Sequence, residues 1–312
     1  MVDSIALSAV ATFQLDFTVW ALRRRDTNII DRWDGTKYVR VLTFNNEPVK
    51  IAVRQEGTIN DPKIAITLQS KKRAMTPVRA RKDAQVLVQK MLGLDRDLTP
   101  LYTRARNNKD AVLISLGQQF LGVKPPCFSS IFETLINAIA CQQVTLDLAI
   151  LMLNRLSVKF GLEFEDDVDG TLLHAFPRPE DLADVSEQEM RKLGFSRQKA
   201  RAIKELAMAV VDNETKLSNL SEMTNEQIVE YLSSIRGIGR WSAEYALLRG
   251  FGRIDTFPGD DIGAQNNLER LFHLDKKPDY AEVKKLTSRW HPYEGLVYFH
   301  LLLNKLQMRG II

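Results

Sequence analysis

Cysteine is scarce in this chain of 312 residues, which contains only Cys127 and Cys141. Two cysteines are too few for a four-cysteine zinc site, a cysteine-ligated iron–sulfur cluster or a disulfide scaffold. The four histidines also lack the spacing of metal ligands. We therefore expect no metal or other cofactor in catalysis and a reducing compartment, with the cytoplasm as the default.

Long apolar runs are missing as well. The longest ones, such as Leu148–Leu153, fall far short of the roughly 20 residues that a membrane-spanning helix needs. Polar residues interrupt the apolar start Ile5–Phe13, and no basic segment precedes it. A first strand is thus favoured over a signal peptide, and no membrane association is expected.

The composition is that of a globular protein, with 45% hydrophobic and 26% charged residues. The length favours two domains. The net charge of +4 is compatible with nucleic acid but does not demonstrate it. Its distribution is uneven: residues 1–100 hold 17 Lys and Arg against 11 Asp and Glu, and the other 212 residues hold 26 against 28. The larger part cannot bind a polyanion by bulk charge, so any affinity for nucleic acid is expected to depend only weakly on salt.

The first hundred residues show the period of strands. Apolar and polar residues alternate in Tyr38–Phe44, Val49–Arg54 and Ile64–Gln69, with short turn signals between them. A helix is predicted from about Asp83 to Gly93. This pattern predicts an antiparallel α+β domain over residues 1–105.

From about residue 106 the period becomes helical and continues so to the end. Capping boxes are predicted at Ser130–Glu133, Ser186–Glu189 and Thr224–Gln227. Short loops separate the helical segments. A multi-helix second domain over residues 106–312 follows from this pattern.

Two glycines punctuate a helical hairpin predicted over residues 225–250. Gly237 and Gly239 let the backbone turn tightly, and the next helix begins near Arg240. The free N–H groups at the start of that helix would suit a phosphate. A plain helix–turn–helix connection without a ligand is the alternative.

Two adjacent aspartates follow a Pro258-Gly259 turn. One of Asp260 and Asp261 is expected to cap the next helix. A second carboxylate beside it is harder to explain, because like charges disfavour each other.

The segment GIGRWSAEY at 237–245, followed by Pro258–Asp261, resembles the helix-hairpin-helix–GPD superfamily of DNA glycosylases, and within it the AlkA-type 3-methyladenine glycosylases. The resemblance implies an α+β fold in which an all-α core follows the antiparallel domain, with the active-site cleft between two helical lobes. It also implies that Asp261 is catalytic and that Trp241, Tyr245 and Trp290 line the base pocket. From the residues alone, a plain core role is favoured for Trp241 and Tyr245.

The resemblance further implies how DNA is held. It assigns phosphate binding to the backbone at the hairpin turn and a wedge into the base stack to the loop between two helices. A monovalent cation is often held by backbone carbonyls, here of Ser233, Ile235 and Gly237. The expected DNA-binding residues are Gly237, Ile238, Gly239, Arg240, Arg236 and Gln143. Arg236 departs from the usual proline and Gln143 from the usual leucine.

Trp241 occupies the position at which glycosylase/lyase relatives carry a lysine nucleophile. Without that lysine the resemblance implies a monofunctional hydrolase, specific for 3-methyladenine and other N3- or N7-alkylated purines. It implies double-stranded damaged DNA as the partner, a monomer, and a place at the nucleoid or in the nucleus. Two alternatives stay open: an oxidised or deaminated purine as substrate, and a non-catalytic DNA-binding module in which Asp261 is only a cap.

Two basic runs and three aromatics of the first domain are expected to have ordinary roles. Arg23–Arg25 and Lys71–Arg73 are predicted to be solvated faces rather than phosphate contacts. Phe13, Phe17 and Trp20 are predicted to be core.

Overall fold

The computed structural model describes residues 2–71, 78–215 and 217–312. Its N-terminal part is one antiparallel sheet, because the alternating segments each set an apolar face against a common core. The strands are β1 (Val2–Ser8), β2 (Arg32–Trp33), β3 (Lys37–Phe44), β4 (Glu47–Gly57) and β5 (Pro62–Ser70). Their order in the sheet is β1-β5-β4-β3-β2.

Two helices complete this domain, α1 (Leu15–Arg23) and α2 (Val78–Met91). The sequence pattern missed α1, and the strand predicted over Ile5–Phe13 ends at Ser8. The helix is only nine residues long, so its period is hard to recognise. It buries Leu15, Val19 and Leu22 in the core of the sheet domain.

The rest of the chain is mainly helical, and the α+β class with an all-α core is confirmed. In chain order the helices are α3 (Thr99–Asn107), α4 (Ala111–Gln119), α5 (Ile131–Cys141), α6 (Leu146–Phe160), α7 (Pro179–Leu182), α8 (Glu187–Lys192), α9 (Arg197–Val211), α10 (Asn225–Ser233), α11 (Arg240–Arg249), α12 (Ile262–Leu271), α13 (Tyr280–Thr287) and α14 (Glu294–Met308). No helix in the described ranges is long and apolar enough to cross a membrane. Both cysteines are free thiols.

These helices form two lobes with separate cores. The first core joins α5 and α6 to α7–α10, and the second joins α3 and α4 to α12–α14. Helix α11 belongs to both, since Leu247 packs in the first core and its neighbour Leu248 in the second. Helix α11 therefore lies at the junction of the lobes.

Within the described residues the helical pattern is interrupted by strands, which corrects the expectation that it continues unbroken. A small antiparallel hairpin follows α6 and consists of β6 (Glu163–Glu165) and β7 (Leu172–His174). Its buried Phe164 and Leu173 pack with Val41 of β3, and Lys50 of β4 pairs with Asp166. The hairpin thereby attaches the first lobe to the N-terminal sheet.

The division at residues 105 and 106 also needs correction. Residue 105 lies inside α3, so a boundary there would cut a helix. Leu92 and Leu94 pack in the sheet domain, whereas Leu98 and Leu101 pack in the second lobe. The packing changes between residues 94 and 98.

Candidate active site

Asp261 caps the helix that follows the Pro258-Gly259 turn. Its Oδ1 accepts a hydrogen bond of 2.8 Å from the backbone N–H of Ala264 in the first turn of α12. This bond satisfies one of the free N–H groups at the helix start. The positive end of the helix dipole lies at this carboxylate.

The second oxygen of Asp261 accepts two more hydrogen bonds, from two different helices. Trp241 Nε1, in the first turn of α11, donates to Oδ2 at 3.2 Å, and Tyr298 Oη, from α14, donates at 3.1 Å. Burial and the neighbouring carboxylate raise the pKa of Tyr298 well above its usual value, so its hydroxyl remains a donor. Capping requires one carboxylate oxygen, and these contacts fix the orientation of the other at the lobe junction.

A lysine lies on the other side of Asp261. A Cβ at Gly263 would lie 3.1 Å from Asp261 Oδ1 and 3.7 Å from Lys305 Nζ. Burial lowers the pKa of Lys305, and the nearby Asp261 opposes that shift. No local motif pointed to Lys305, because only the packing of α14 on α12 brings it there.

The adjacent carboxylate, Asp260, has a different partner. It pairs with Arg240 at 2.8 Å, and the Arg240 guanidinium lies 3.7 Å from the centroid of the Tyr280 ring. The loop is held further by Glu244, which accepts from Gly259 N and from Tyr280 Oη. The second carboxylate thus ties the start of α11 to the Asp261 loop, which accounts for two adjacent acids.

The hairpin lies where the sequence placed it, between α10 and α11. Gly237 has φ of 81°, and a Cβ there would come within 2.5 Å of the Ala202 Cβ, so only glycine fits. No side chain caps α11 at Gly239, which leaves its first N–H groups without that partner. The Ile238 side chain is buried, so only its backbone could face a ligand. Arg236 is exposed and pairs with Glu205 at 2.8 Å.

The loop predicted to supply a wedge connects α5 to α6. Gln143 is exposed at a φ of 52°, so the backbone turns sharply under it. Its neighbour Gln142 donates to the carbonyl of Gly237 at 2.8 Å and to Ser242 Oγ at 2.9 Å. Lys199 donates to the carbonyls of Ala140 and Gln142. The loop is therefore fastened to the hairpin while Gln143 projects from it.

The carbonyls expected to hold a monovalent cation lie at the same turn. Gly237 O accepts from Gln142 and Ile235 O accepts from Ile238 N, which leaves each oxygen one lone pair. Hard cations prefer oxygen ligands of this kind. The carbonyls of Ile235 and Gly237, together with that of Ser233, therefore fit a monovalent cation. The described residues contain no group of three or more His, Cys, Asp or Glu side chains that could hold a metal.

Two of the three predicted pocket aromatics lie together beside Asp261. The Trp241 and Tyr245 rings are 5.3 Å apart and tilted by 33°. Phe128, just before α5, extends the row at 6.4 Å from Tyr245. The sequence analysis missed Phe128, which no local motif distinguishes from a core residue. Trp241 is half-buried, and Tyr245 and Phe128 are buried.

Trp290 is not part of this group, which corrects the prediction for it. Its side chain is 1% exposed, stacks on Phe272 at 6.0 Å and donates from Nε1 to Asp110 Oδ2 at 3.0 Å. It is a core residue of the second lobe. The aromatic that this lobe brings to Asp261 is Tyr298.

The run Arg23–Arg25 is not a solvated face, contrary to the sequence prediction. All three side chains are buried at the end of α1. Arg24 donates to Tyr245 Oη at 3.0 Å and to Asn137 Oδ1 at 2.8 Å, and Arg25 donates to Asp147. The run therefore brings the N-terminal domain to the aromatic row. In the second run Lys71 pairs with Asp167, and residues 72 and 73 lie outside the described residues.

The N-terminal aromatics lie in cores, as expected. Phe13 is fully buried in the sheet domain, and Phe17 and Trp20 pack on the second lobe. The Trp20 ring lies 4.8 Å from the Arg23 guanidinium.

Comparison with known proteins adds an independent finding. Residues 136–292 match the family model described as "HhH-GPD superfamily base excision DNA repair protein". A putative DNA-3-methyladenine glycosylase of Bacillus subtilis is 34% identical over 172 residues, which span 55% of this chain and 58% of that relative. A second, named DNA-3-methyladenine glycosylase, from the same organism, is 25% identical over 96% of both chains.

The fold as a whole also occurs in solved structures. The 3-methyladenine DNA glycosylase of Archaeoglobus fulgidus superposes with a TM-score of 0.83 at 23% identity, covering 99% of this chain and all of that one. The match includes both the sheet domain and the two helical lobes.

Proposed function

Since the chain belongs to the HhH-GPD superfamily of base excision DNA repair proteins, we propose that it is a monofunctional DNA glycosylase for alkylated purines. Its substrates would be 3-methyladenine and other N3- or N7-alkylated bases in double-stranded DNA, on which it would act as a monomer. The observation that carries the proposal is the orientation of Asp261 by Ala264, Trp241 and Tyr298. A mere helix cap would not require donors from two other helices.

Asp261 would act on the sugar and not on the base. An alkylated purine is already cationic and leaves with the electron pair of its bond to C1′. The sugar becomes an oxocarbenium-like cation, which the adjacent carboxylate stabilises, and a water oxygen then bonds to C1′ and loses its proton. The base must be flipped out of the duplex to reach this carboxylate. The Trp241 and Tyr245 faces would attract the flat cation, by about 2 kcal/mol each when desolvated.

The hairpin and the loop after α5 would hold the DNA. Backbone N–H groups at Gly237, Ile238 and Gly239 would bind a phosphate, with a monovalent cation at the neighbouring carbonyls. Arg236 and Arg240 would exchange their carboxylate partners for phosphates. Gln143 would fill the gap left by the flipped nucleotide.

The central experiment measures free-base release from a methylated duplex by the purified protein. We expect Asp261→Asn to lower the single-turnover rate by at least about 1,000-fold, because a neutral amide cannot stabilise the developing cation. Asp260→Asn is the matched control, on the same loop, and should stay within about tenfold of the wild type. Release at the wild-type rate by Asp261→Asn would refute the mechanism.

The absence of lyase activity is tested separately. An abasic duplex incubated without alkali should remain uncleaved, and borohydride should trap no covalent adduct, because Trp241 replaces the lysine that forms a Schiff base. Lys305, the lysine described beside Asp261, is the candidate for an alternative nucleophile. The variant Lys305→Gln is therefore tested in the same assay. A trapped adduct that this substitution abolished would overturn the monofunctional assignment.

A further inference from the structure

Two buried arginines flank the aromatic row without a carboxylate partner. Arg24 and Arg249, together with Phe128, Asn137 and Tyr245, are called the Arg24 cluster below. The Arg24 guanidinium lies 5.5 Å from the Phe128 centroid and Arg249 lies 4.9 Å from it. Arg24 is 4% exposed and Arg249 fully buried.

None of the hydrogen-bond partners described for these guanidinium groups is a carboxylate. Arg24 donates to Tyr245 Oη and Asn137 Oδ1 and lies 3.6 Å from Cys141 Sγ. Arg249 donates to the carbonyls of Ala21 and Leu22 at the end of α1. The Nε of each has no partner within the described ranges. None of the ion pairs found in those ranges involves either arginine.

The site therefore carries two fixed positive charges behind its aromatic wall. Arginine stays protonated at all accessible pH values. Burial leaves little water to screen the charge, so it acts over several ångströms. Tyr245 is in direct contact with Arg24 and next to Trp241, so a base against this wall would lie in the field of the guanidinium.

We propose that Arg24 is a specificity-determining residue that extends the reaction to electrically neutral lesion bases, such as deaminated purines. The inference rests on the proposed glycosylase function. A neutral base leaves as an anion, because the electron pair of the C1′–N bond stays on the base nitrogen. Water then adds its oxygen to C1′, and its proton passes through solvent to the base anion. The nearby positive charge stabilises that anion while it forms.

The same charge affects a cationic base differently. The charge of a cationic base falls from +1 to zero as its bond to C1′ breaks. The positive charge of Arg24 therefore repels the bound substrate, and this repulsion disappears towards the transition state. The charge of a neutral base changes from zero to −1. Arg24 therefore has little electrostatic interaction with the bound substrate and stabilises the transition state. Removing the charge should slow the chemical step for both, but should lower kcat/KM only for the neutral base.

The experiment compares duplexes containing 7-methylguanine, a cation, and hypoxanthine, a neutral deaminated base. For Arg24→Gln we expect kcat/KM on hypoxanthine to fall about tenfold or more. This is the effect expected from removing one unit charge that lies several ångströms from the base. On 7-methylguanine, kcat/KM should change less than threefold while KM falls. Equal losses on both substrates would show a merely structural role and overturn the proposal.

Three further variants keep the test decisive. Arg24→Lys retains the charge and should recover the hypoxanthine activity. Arg23→Gln removes a neighbouring buried guanidinium that donates to Trp33 O and Asp26 O, and should leave the ratio of the two substrates unchanged. If Arg24→Gln does not fold, Asn137→Asp keeps the arginine and supplies a counter-charge at its 2.8 Å contact. It should shift the ratio in the same direction as Arg24→Gln, and an unchanged ratio would overturn the proposal.

Failure of this inference is distinct from failure of the proposed function. A wild-type protein that releases 7-methylguanine but no hypoxanthine remains an alkylpurine glycosylase and refutes only the role of Arg24. A wild-type protein that releases neither base refutes the function itself.

Discussion

Two residues of helix α5, one helical turn apart, each bind a buried arginine. The two arginines differ in whether carboxylates compensate their charge. Glu133 accepts from Arg40 of β3 at 2.6 Å, and Arg40 also pairs with Asp31 at 2.7 Å. These three residues and Tyr38, which donates to Asp31, are called the Arg40 cluster. Asn137, four residues after Glu133, accepts instead from Arg24. The Arg40 cluster has one cation for two carboxylates, and the Arg24 cluster has two cations and none.

The difference separates a structural task from a functional one. The charge of Arg40 is compensated by two carboxylates, and the Arg40 cluster fixes the sheet domain on α5. An uncompensated charge is costly to bury and is retained where its field has a use. The first cluster also supports the second, because the position of the sheet domain determines where α1 delivers Arg24.

Breaking the compensated cluster should have the largest effect on stability. Arg40→Met leaves Asp31 and Glu133 buried without their cation, and we expect a loss of about 3–5 kcal/mol in the free energy of unfolding. Urea denaturation at neutral pH measures it. The folded fraction should retain base release, because no atom of this cluster contacts Asp261, Trp241 or Tyr245 in the hydrogen bonds described.

The control removes the stranded charges as well. A triple variant, Arg40→Met with Asp31→Asn and Glu133→Gln, should recover a large part of the stability lost by the single variant. No recovery would mean that packing around Arg40, and not its charge, holds the sheet on α5.

His300 shows a third way to bury a titratable group, which is to keep it neutral. It is fully buried, lies 2.9 Å from Leu296 O through Nδ1, and its Nε2 is 3.3 Å from Tyr102 Oη. Burial lowers its pKa from 6.5 to about 4. Between pH 4 and 6.5, His300 is therefore protonated in the unfolded chain but not in the folded chain. The stability that the neutral His300 contributes is fully present above pH 6.5 and is lost as the pH falls to 4.

The expected loss for His300 is about 3 kcal/mol over that pH window. Urea denaturation of the wild type and of His300→Gln at several pH values measures it. The variant should lack this part of the pH dependence. An identical slope in both proteins would show that other groups titrate there and that His300 is not the desolvated one.

Arg249→Met should cost less than Arg40→Met, although both remove a buried guanidinium. It leaves only the two carbonyls at the end of α1 without a donor, and it also removes an uncompensated charge. We expect a loss of about 1–2 kcal/mol by urea denaturation. A loss as large as that of Arg40→Met would mean that Arg249 is compensated in a way that its contacts do not show.

Local patterns in the sequence predicted those features that depend on local contacts. The alternation around Tyr38 and Val53 placed two central strands, and the turn at Gly237 and the cap at Asp261 lie where they were expected. The roles of the hairpin, of Gln143 and of the cation site stay predictions, because they concern DNA or an ion.

Features that depend on distant partners were not predictable. The carboxylate of Glu133 was expected to complete a capping box with Ser130. It instead bonds Arg40 and Ser129, whereas the boxes at Ser186 and Thr224 form as expected. The local sequence around Arg24 does not indicate whether its side chain is exposed or buried. Its partner Tyr245 is 221 residues away in the chain.

The smallest effect is expected at the third arginine of the run, where the counter-charge is at the surface. Arg25 pairs with Asp147 at 2.6 Å, and the Asp147 side chain is 65% exposed. The Arg25 hydrogen bond lowers the pKa of Asp147, but water and salt screen such a pair. Asp147→Asn should therefore lower stability by only about 0.2–1 kcal/mol, and by less at high salt.

Glu205→Gln, which removes the carboxylate that pairs with Arg236 and Arg201, is the matched control for that substitution. Both changes remove an exposed counter-charge, so urea denaturation at low and high salt should give similar small losses. A loss for Asp147→Asn that approached that of Arg40→Met and persisted at high salt would place Arg25 among the compensated buried arginines. Arg24 would then differ from its neighbour Arg25 in having no carboxylate partner, which would strengthen its assignment as the residue whose charge is left free to act on the base.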